Sequence, residues 1–120
     1  MAAAEQDFLI EQGSTWTAGF TYKVAGVSQD LSGYVANCQI KKTASGEVIA
    51  TPTCTIVKDE IGKIHLELTD EETWTIPATG RTYKDKTEYT LDITLTTPTG
   101  VTTRLINGIV SVSPGVTRTV

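Results

Sequence analysis

Histidine is all but missing from this chain: its 120 residues contain one, His65, together with two cysteines, Cys38 and Cys54. A Ser-His-Asp triad would have to use His65 as its base, and no Gly-x-Ser-x-Gly elbow exists to present a nucleophile. A zinc site would need Cys38, Cys54, His65 and a carboxylate, without the close CxxC or HxxxH spacing that pre-organises ligands. Phosphate loops of the Gly-x-x-x-x-Gly-Lys type are absent, and Gly62-Lys63 falls in a turn instead. Basic residues are outnumbered, ten against fourteen acids for a net charge of −4, and they are scattered. Clustered Lys and Arg are what phosphate binding needs, so no nucleic-acid partner is expected. No apolar run approaches the roughly 18 residues of a membrane span, so no membrane partner is expected either. Met1-Ala2-Ala3-Ala4-Glu5 lacks the basic start and apolar stretch of a signal peptide, which predicts synthesis in the cytoplasm.

What is abundant is threonine, about one residue in five. It is β-branched and suits pleated, half-buried surfaces, so strands should dominate. Period-two alternation is plain. Trp16, Ala18, Phe20 and Tyr22 share one face, as do Tyr34, Ala36, Cys38 and Ile40, then Ile64, Leu66 and Leu68, then Tyr89, Leu91, Ile93 and Leu95. Turn signals separate these runs at Gln29 to Gly33, Ala44 to Glu47, Asp59 to Gly62 and Thr97-Pro98-Thr99-Gly100, the last reading as a hairpin turn. Pro52 divides two short strands and predicts an edge position or a bulge. Asn107-Gly108 lies too close to apolar residues on both sides to be a hairpin turn and is read as a bulge. Thr69-Asp70-Glu71-Glu72 predicts a capping box and one helical turn over 69–74, ended by Pro77. The expected fold class is all-β: one immunoglobulin-like antiparallel β-sandwich of seven or eight strands over 1–120, with 1–6 and 113–120 as terminal arms.

Candidate chemistry is sparse. The acids at Asp59-Glu60 and Asp70-Glu71-Glu72 read as solvated turns rather than the paired carboxylates of a glycosidase, and Asp70 and Glu71 lack the spaced ligands of a calcium loop. Cys38 and Cys54 share the parity of Ile40 and Ile56 and read as buried free thiols; a disulfide requires their strands to face each other. Trp16 reads as core, whereas Trp74 reads as a lid over one end of the sandwich or, secondarily, a sugar-stacking ring. Past Pro114 and Gly115, which should stop the last strand and let the chain turn, Val116-Thr117-Arg118-Thr119-Val120 alternates again. Lying on a neighbour's strand edge would order it, with Arg118 paired to an acidic group. Trp74, Val116, Arg118 and Val120 are therefore the candidate partner-binding residues. No catalytic residue, metal or cofactor is expected.

Several stretches in this order carry a resemblance: Gln12-Gly13-Ser14-Thr15-Trp16, Asp30-Leu31-Ser32-Gly33-Tyr34, Gly62 to Thr69, Tyr89-Thr90-Leu91-Asp92-Ile93, and Val110 to Arg118. Together they resemble small immunoglobulin-like virion proteins of tailed bacteriophages, similar to the amino-terminal domain of baseplate upper proteins. Gly115 departs from that pattern, which leads one to expect an acid there. The resemblance implies a non-enzymatic structural or adaptor component of a virion tail, baseplate or neck. Its implied partners are other virion proteins and copies of itself in a symmetric assembly. A capsid decoration protein and a host-surface or carbohydrate-binding adhesin are the alternatives; for the adhesin the sequence offers Trp74 and Tyr83 as exposed aromatics and no more.

Overall fold

The computed structural model describes residues 4–116. Eleven strand segments and one helical turn follow in chain order: β1 (Ala4–Glu5), β2 (Phe8–Glu11), β3 (Trp16–Thr21), β4 (Lys23–Val24), β5 (Val27–Ser28), β6 (Val35–Lys41), β7 (Val48–Ala50), β8 (Thr53–Ile56), β9 (Lys63–Leu68), α1 (Asp70–Trp74), β10 (Thr87–Thr96) and β11 (Thr102–Ser113). One sheet runs β1-β11-β10-β6-β7 with β2 also on β11, and the facing sheet runs β3-β9-β8. Two sheets so ordered, the first extended by β7, make an immunoglobulin-like β-sandwich. Tyr89, near the start of β10, donates its hydroxyl to the Pro77 carbonyl, the upstream tie common at this corner of such sandwiches.

The alternating strands bury the faces their sequences mark. Ile64, Leu66 and Leu68 on β9, and Tyr89, Leu91, Ile93 and Leu95 on β10, are all at most a few per cent exposed. Trp16 is buried and meets Phe8 edge-on, with ring centroids 5.8 Å apart. Leu31, Ile64 and Leu95 form a smaller core cluster with Tyr22 and Tyr34 packed against it. The turn at Thr97 to Gly100 closes with the Gly100 N–H donating to the Thr97 carbonyl at 3.0 Å, and Gly100 has φ 95°.

Three expectations need correcting, and one element is new. Asn107-Gly108 is not the bulge: Asn107 and Gly108 pair regularly with Asp92 and Leu91, and the register slips between Ile93 and Thr94, leaving Leu105 as the extra residue. Gly108 serves a close approach instead, since an added Cβ would overlap the Gln6 carbonyl oxygen. The presumed arms are partly structural, because Ala4 and Glu5 pair in parallel with Ile106 and Asn107, while Ser113 ends β11. With β1 and β2 parallel to β11, the larger sheet is mixed rather than wholly antiparallel, and the breaks in the amino-terminal strand raise the count of segments. Lastly, the small hairpin β4–β5 was not foreseen. Its turn residues Ala25 and Gly26 have φ 53° and 81°, as a tight two-residue hairpin turn demands.

Pro52 lies where the chain leaves one sheet for the other, between β7 and β8, and both are edge strands as the sequence suggests.

Candidate partner interface

One end of the sandwich is tied together by Gln12. Its backbone N–H donates to the Ser113 carbonyl at 3.0 Å, which carries the pairing of β2 and β11 one residue further. Its side-chain amide donates to the carbonyls of Ile76 at 2.9 Å and Trp74 at 3.3 Å, and its Oε1 accepts the Gly115 N–H at 3.0 Å. The strand leading in, the end of the helix and the chain leaving β11 thus meet on one half-buried side chain.

Helix α1 is set by local chemistry. The Glu72 N–H donates to the Thr69 hydroxyl at 3.2 Å, and the Thr69 N–H donates to the Glu72 carboxylate at 2.9 Å, closing the capping box the sequence predicts. That turn drives Thr73 fully inward, where its hydroxyl donates to the Ser14 carbonyl at 2.8 Å and accepts from the Gly13 N–H at 3.1 Å. Trp74 follows, half-buried, with its ring against Gly115, where a Cβ would lie 2.7 Å from the ring. Gly115 is therefore required by contact rather than by a free turn, which corrects the sequence reading. Beyond it Val116 is 90% exposed. Tyr83, 65% exposed, belongs to the same end, because its carbonyl accepts the Ser113 hydroxyl at 2.9 Å.

Of the four predicted partner residues, the structure brings Trp74 and Val116 to one end, on either side of Gly115. Arg118 and Val120 lie outside the described residues. Sequence reasoning missed Gln12, because a lone glutamine in a turn carries no signal of its bonds; Tyr83, an aromatic among charged residues, is one of the two exposed aromatics that the sequence offers, and the structure sets it at this end with Trp74.

At the opposite end, the Tyr22 N–H donates to the Gly62 carbonyl at 2.8 Å and the Gln29 N–H to the Tyr22 carbonyl at 3.1 Å, joining the β3–β6 connection to the β8–β9 turn. A groove of about 530 Å³ lies between them, lined by Leu31, Tyr34, Ile56 and Ile61 together with Asp30 and Lys58. The Ser32 hydroxyl, and then its backbone N–H, hold the Asp30 carboxyl below its ordinary value.

The remaining candidates are dispersed. His65 is half-buried on the outer face of β9 between Lys63 and Glu67. Among the described residues no group of three or more His, Cys, Asp or Glu side chains could hold a metal ion, and no helix is long and apolar enough to cross a membrane. Cys38 is buried and Cys54 half-buried, and both thiols are free. Burial pushes Cys54 up to about 11 and pushes Cys38 higher still, with the Cys54 and Asp92 charges adding to the latter.

No family model matches the chain, and no curated protein matches it. Among solved structures it is similar to murine CRIg at 12% identity, with 89% of this chain and 90% of that one covered and a TM-score of 0.41.

Proposed function

We propose that the protein is a non-enzymatic structural component of a bacteriophage virion, an adaptor of the tail, baseplate or neck that works through contacts with neighbouring subunits. The sequence resemblance supplies the setting. The observation that supports a contact role most directly is the Gln12 latch, which fixes the point and direction at which the chain emerges at Val116 beside the partly exposed Trp74. A partner meeting that end finds an apolar side chain and an aromatic ring held by a polar frame, which lowers the ordering cost of association.

Mass spectrometry of density-purified particles from the host that makes the protein, with immunogold labelling, tests this reading. The protein should be present in fixed proportion to the other virion proteins, with gold on the tail, baseplate or neck. Gold over the head would turn the reading to capsid decoration, and absence from the particles would overturn it.

A further inference from the structure

We infer that the outer edge of β3 is a pairing site for a second copy of this chain, forming an antiparallel β3–β3 ladder centred on Gly19. β3 is the last strand of its sheet on that side and, among the described residues, pairs only with β9, in unbroken register from Trp16 opposite Leu68 to Thr21 opposite Lys63. The Tyr22 N–H donates to the Gly62 carbonyl, its partner one step further along the same register. Hydrogen-bonded residues alternate along an antiparallel strand, so Phe20, Ala18 and Trp16 turn their backbone groups to β9. Thr17, Gly19 and Thr21 turn theirs outward, and no partner takes them among the described residues.

Edges left in this condition are templates for pairing, and proteins usually blunt them with charge, proline, bulges or brevity. Among the described residues, the other edges of the two main sheets are blunted. β7 has three residues and a register slip, β8 has four and follows Pro52, and β1 and β2 carry Glu5 and Glu11 with Asp7 between them. β3 has six residues, none of them charged and none proline.

The occupant is argued from self-complementarity. A partner strand must offer its hydrogen-bonding residues where β3 offers Thr17, Gly19 and Thr21, and its apolar residues where β3 turns Ala18 and Phe20 inward. An antiparallel second copy does both when Gly19 lies on the two-fold axis. Thr17 then faces Thr21 of the second copy, Gly19 faces Gly19, and Ala18 faces Phe20 on the inner side. β3 itself carries no charged side chain; on its outer face the Lys63 side chain reaches over Gly19, with its Cε 3.3 Å from where a Cβ would lie, and the Lys63 ammonium is paired with Glu60 at 3.7 Å. Phe20, Tyr22 and Leu105 line a groove of about 290 Å³ beside this edge, over the buried Ile106 and with Lys23 and Arg104 also in its lining, so an added strand also covers three side chains now half-exposed. A two-fold pairing of this kind closes on itself and gives a dimer rather than a fibre. The inference goes beyond the virion reading and concerns the purified chain alone, so a failure of either leaves the other standing.

Sedimentation equilibrium of the full chain should show a monomer–dimer equilibrium, and amide exchange at Thr17, Gly19 and Thr21 should slow as concentration rises. Thr17→Lys with Thr21→Lys sets like charges opposite each other twice and should raise the dissociation constant about tenfold. Thr17→Lys with Thr21→Glu sets opposite charges in the same two places, faces Glu67 and Lys63 with opposite charge within each chain, and should restore dimerisation. A chain that stays monomeric up to about 1 mM overturns the proposal. So does equal weakening by both double variants, or a dimer whose exchange at these three amides does not depend on concentration. Should the lysine variant lose its circular dichroism signature, the exchange measurement on the parent chain decides.

Discussion

The Gly115 N–H donates to the Gln12 Oε1 at 3.0 Å, a bond between residues 103 positions apart that fastens the two ends of the sandwich's longest path. Because the same side chain also donates to the Trp74 and Ile76 carbonyls, both halves of the amide are in use. Gln12→Ala should lower stability by about 1 to 3 kcal/mol as these bonds are lost. Gln12→Glu keeps an acceptor for Gly115 but sets a carboxylate against two carbonyls, so it should not restore the parent's denaturant midpoint. Gly115→Ala should be destabilising by a similar amount, about 1 to 3 kcal/mol, because its Cβ would overlap the Gln12 carbonyl oxygen and press on the Trp74 ring. Chemical denaturation of the three variants checks the set.

Gly108→Ala should loosen the amino-terminal strand. Its Cβ would overlap the Gln6 carbonyl oxygen and approach Phe8 Cε2 to 3.2 Å. The Gln6 N–H, which donates to the Asn107 carbonyl at 2.9 Å, should then exchange with solvent faster, while the amides at the centre of β10 keep their protection. Unchanged exchange at Gln6 would show that the crossing between β1 and β2 yields without cost.

The parts of the fold legible in the sequence are those whose cause is local or periodic. Leu66 and Leu91 declare their faces by alternation, and Thr69 with Glu72 declares a helix start within four residues. Pairing between distant segments leaves no such mark. The parallel contact of Ala4 with Ile106 has no turn to announce it, so residues 1–6 read as an arm. Glycine is ambiguous for a physical reason: positive φ, a bulge and a close approach all favour it, and at Gly108 and Gly115 the close approach was the one that applied. Val24 and Val27 belong to strands of two residues, too short for alternation to appear. At the candidate interface, Trp74 and Val116 were legible as residues with no obvious core role, whereas the bonds of Gln12 depend on three segments meeting in space.

Leu91→Ala should cost about 2 to 5 kcal/mol, as lost transfer energy and the cavity add. Leu91 is 2% exposed, with Ile40 opposite it on β6 and Gly108 opposite it on β11, so β11 offers no side chain there to fill the gap. Thr94→Ala, on the outer face of the same strand, should stay within about 0.5 kcal/mol. Equal midpoints for the two variants in urea would invert the assignment of faces.

The two thiols set an alkaline limit on stability. Burial raises Cys54 from 9.0 to about 11 and raises Cys38 further, so the folded state holds both protons more tightly than the unfolded chain does. The stabilisation this represents is fully present below the unfolded value near 9.0 and is lost as pH climbs through the folded values. The thermal midpoint should therefore be insensitive to these groups up to about pH 9 and should fall above it. Tyr89, also raised by burial and donating to the Pro77 carbonyl, acts in the same direction. A Cys38→Ala, Cys54→Ala variant should start from a lower midpoint, because Cys38 fills core space, yet lose less of it between pH 9 and pH 11; Tyr89→Phe should reduce the fall further. Alkylation reports the same values from the native state. With Cys54 near 11, only about one molecule in a thousand carries its thiolate at pH 8, so iodoacetamide should react slowly there and about tenfold faster for each added pH unit. Rapid labelling of the folded protein at pH 8, at the rate of a free thiol in solution, would show that Cys54 is not shielded in the fold.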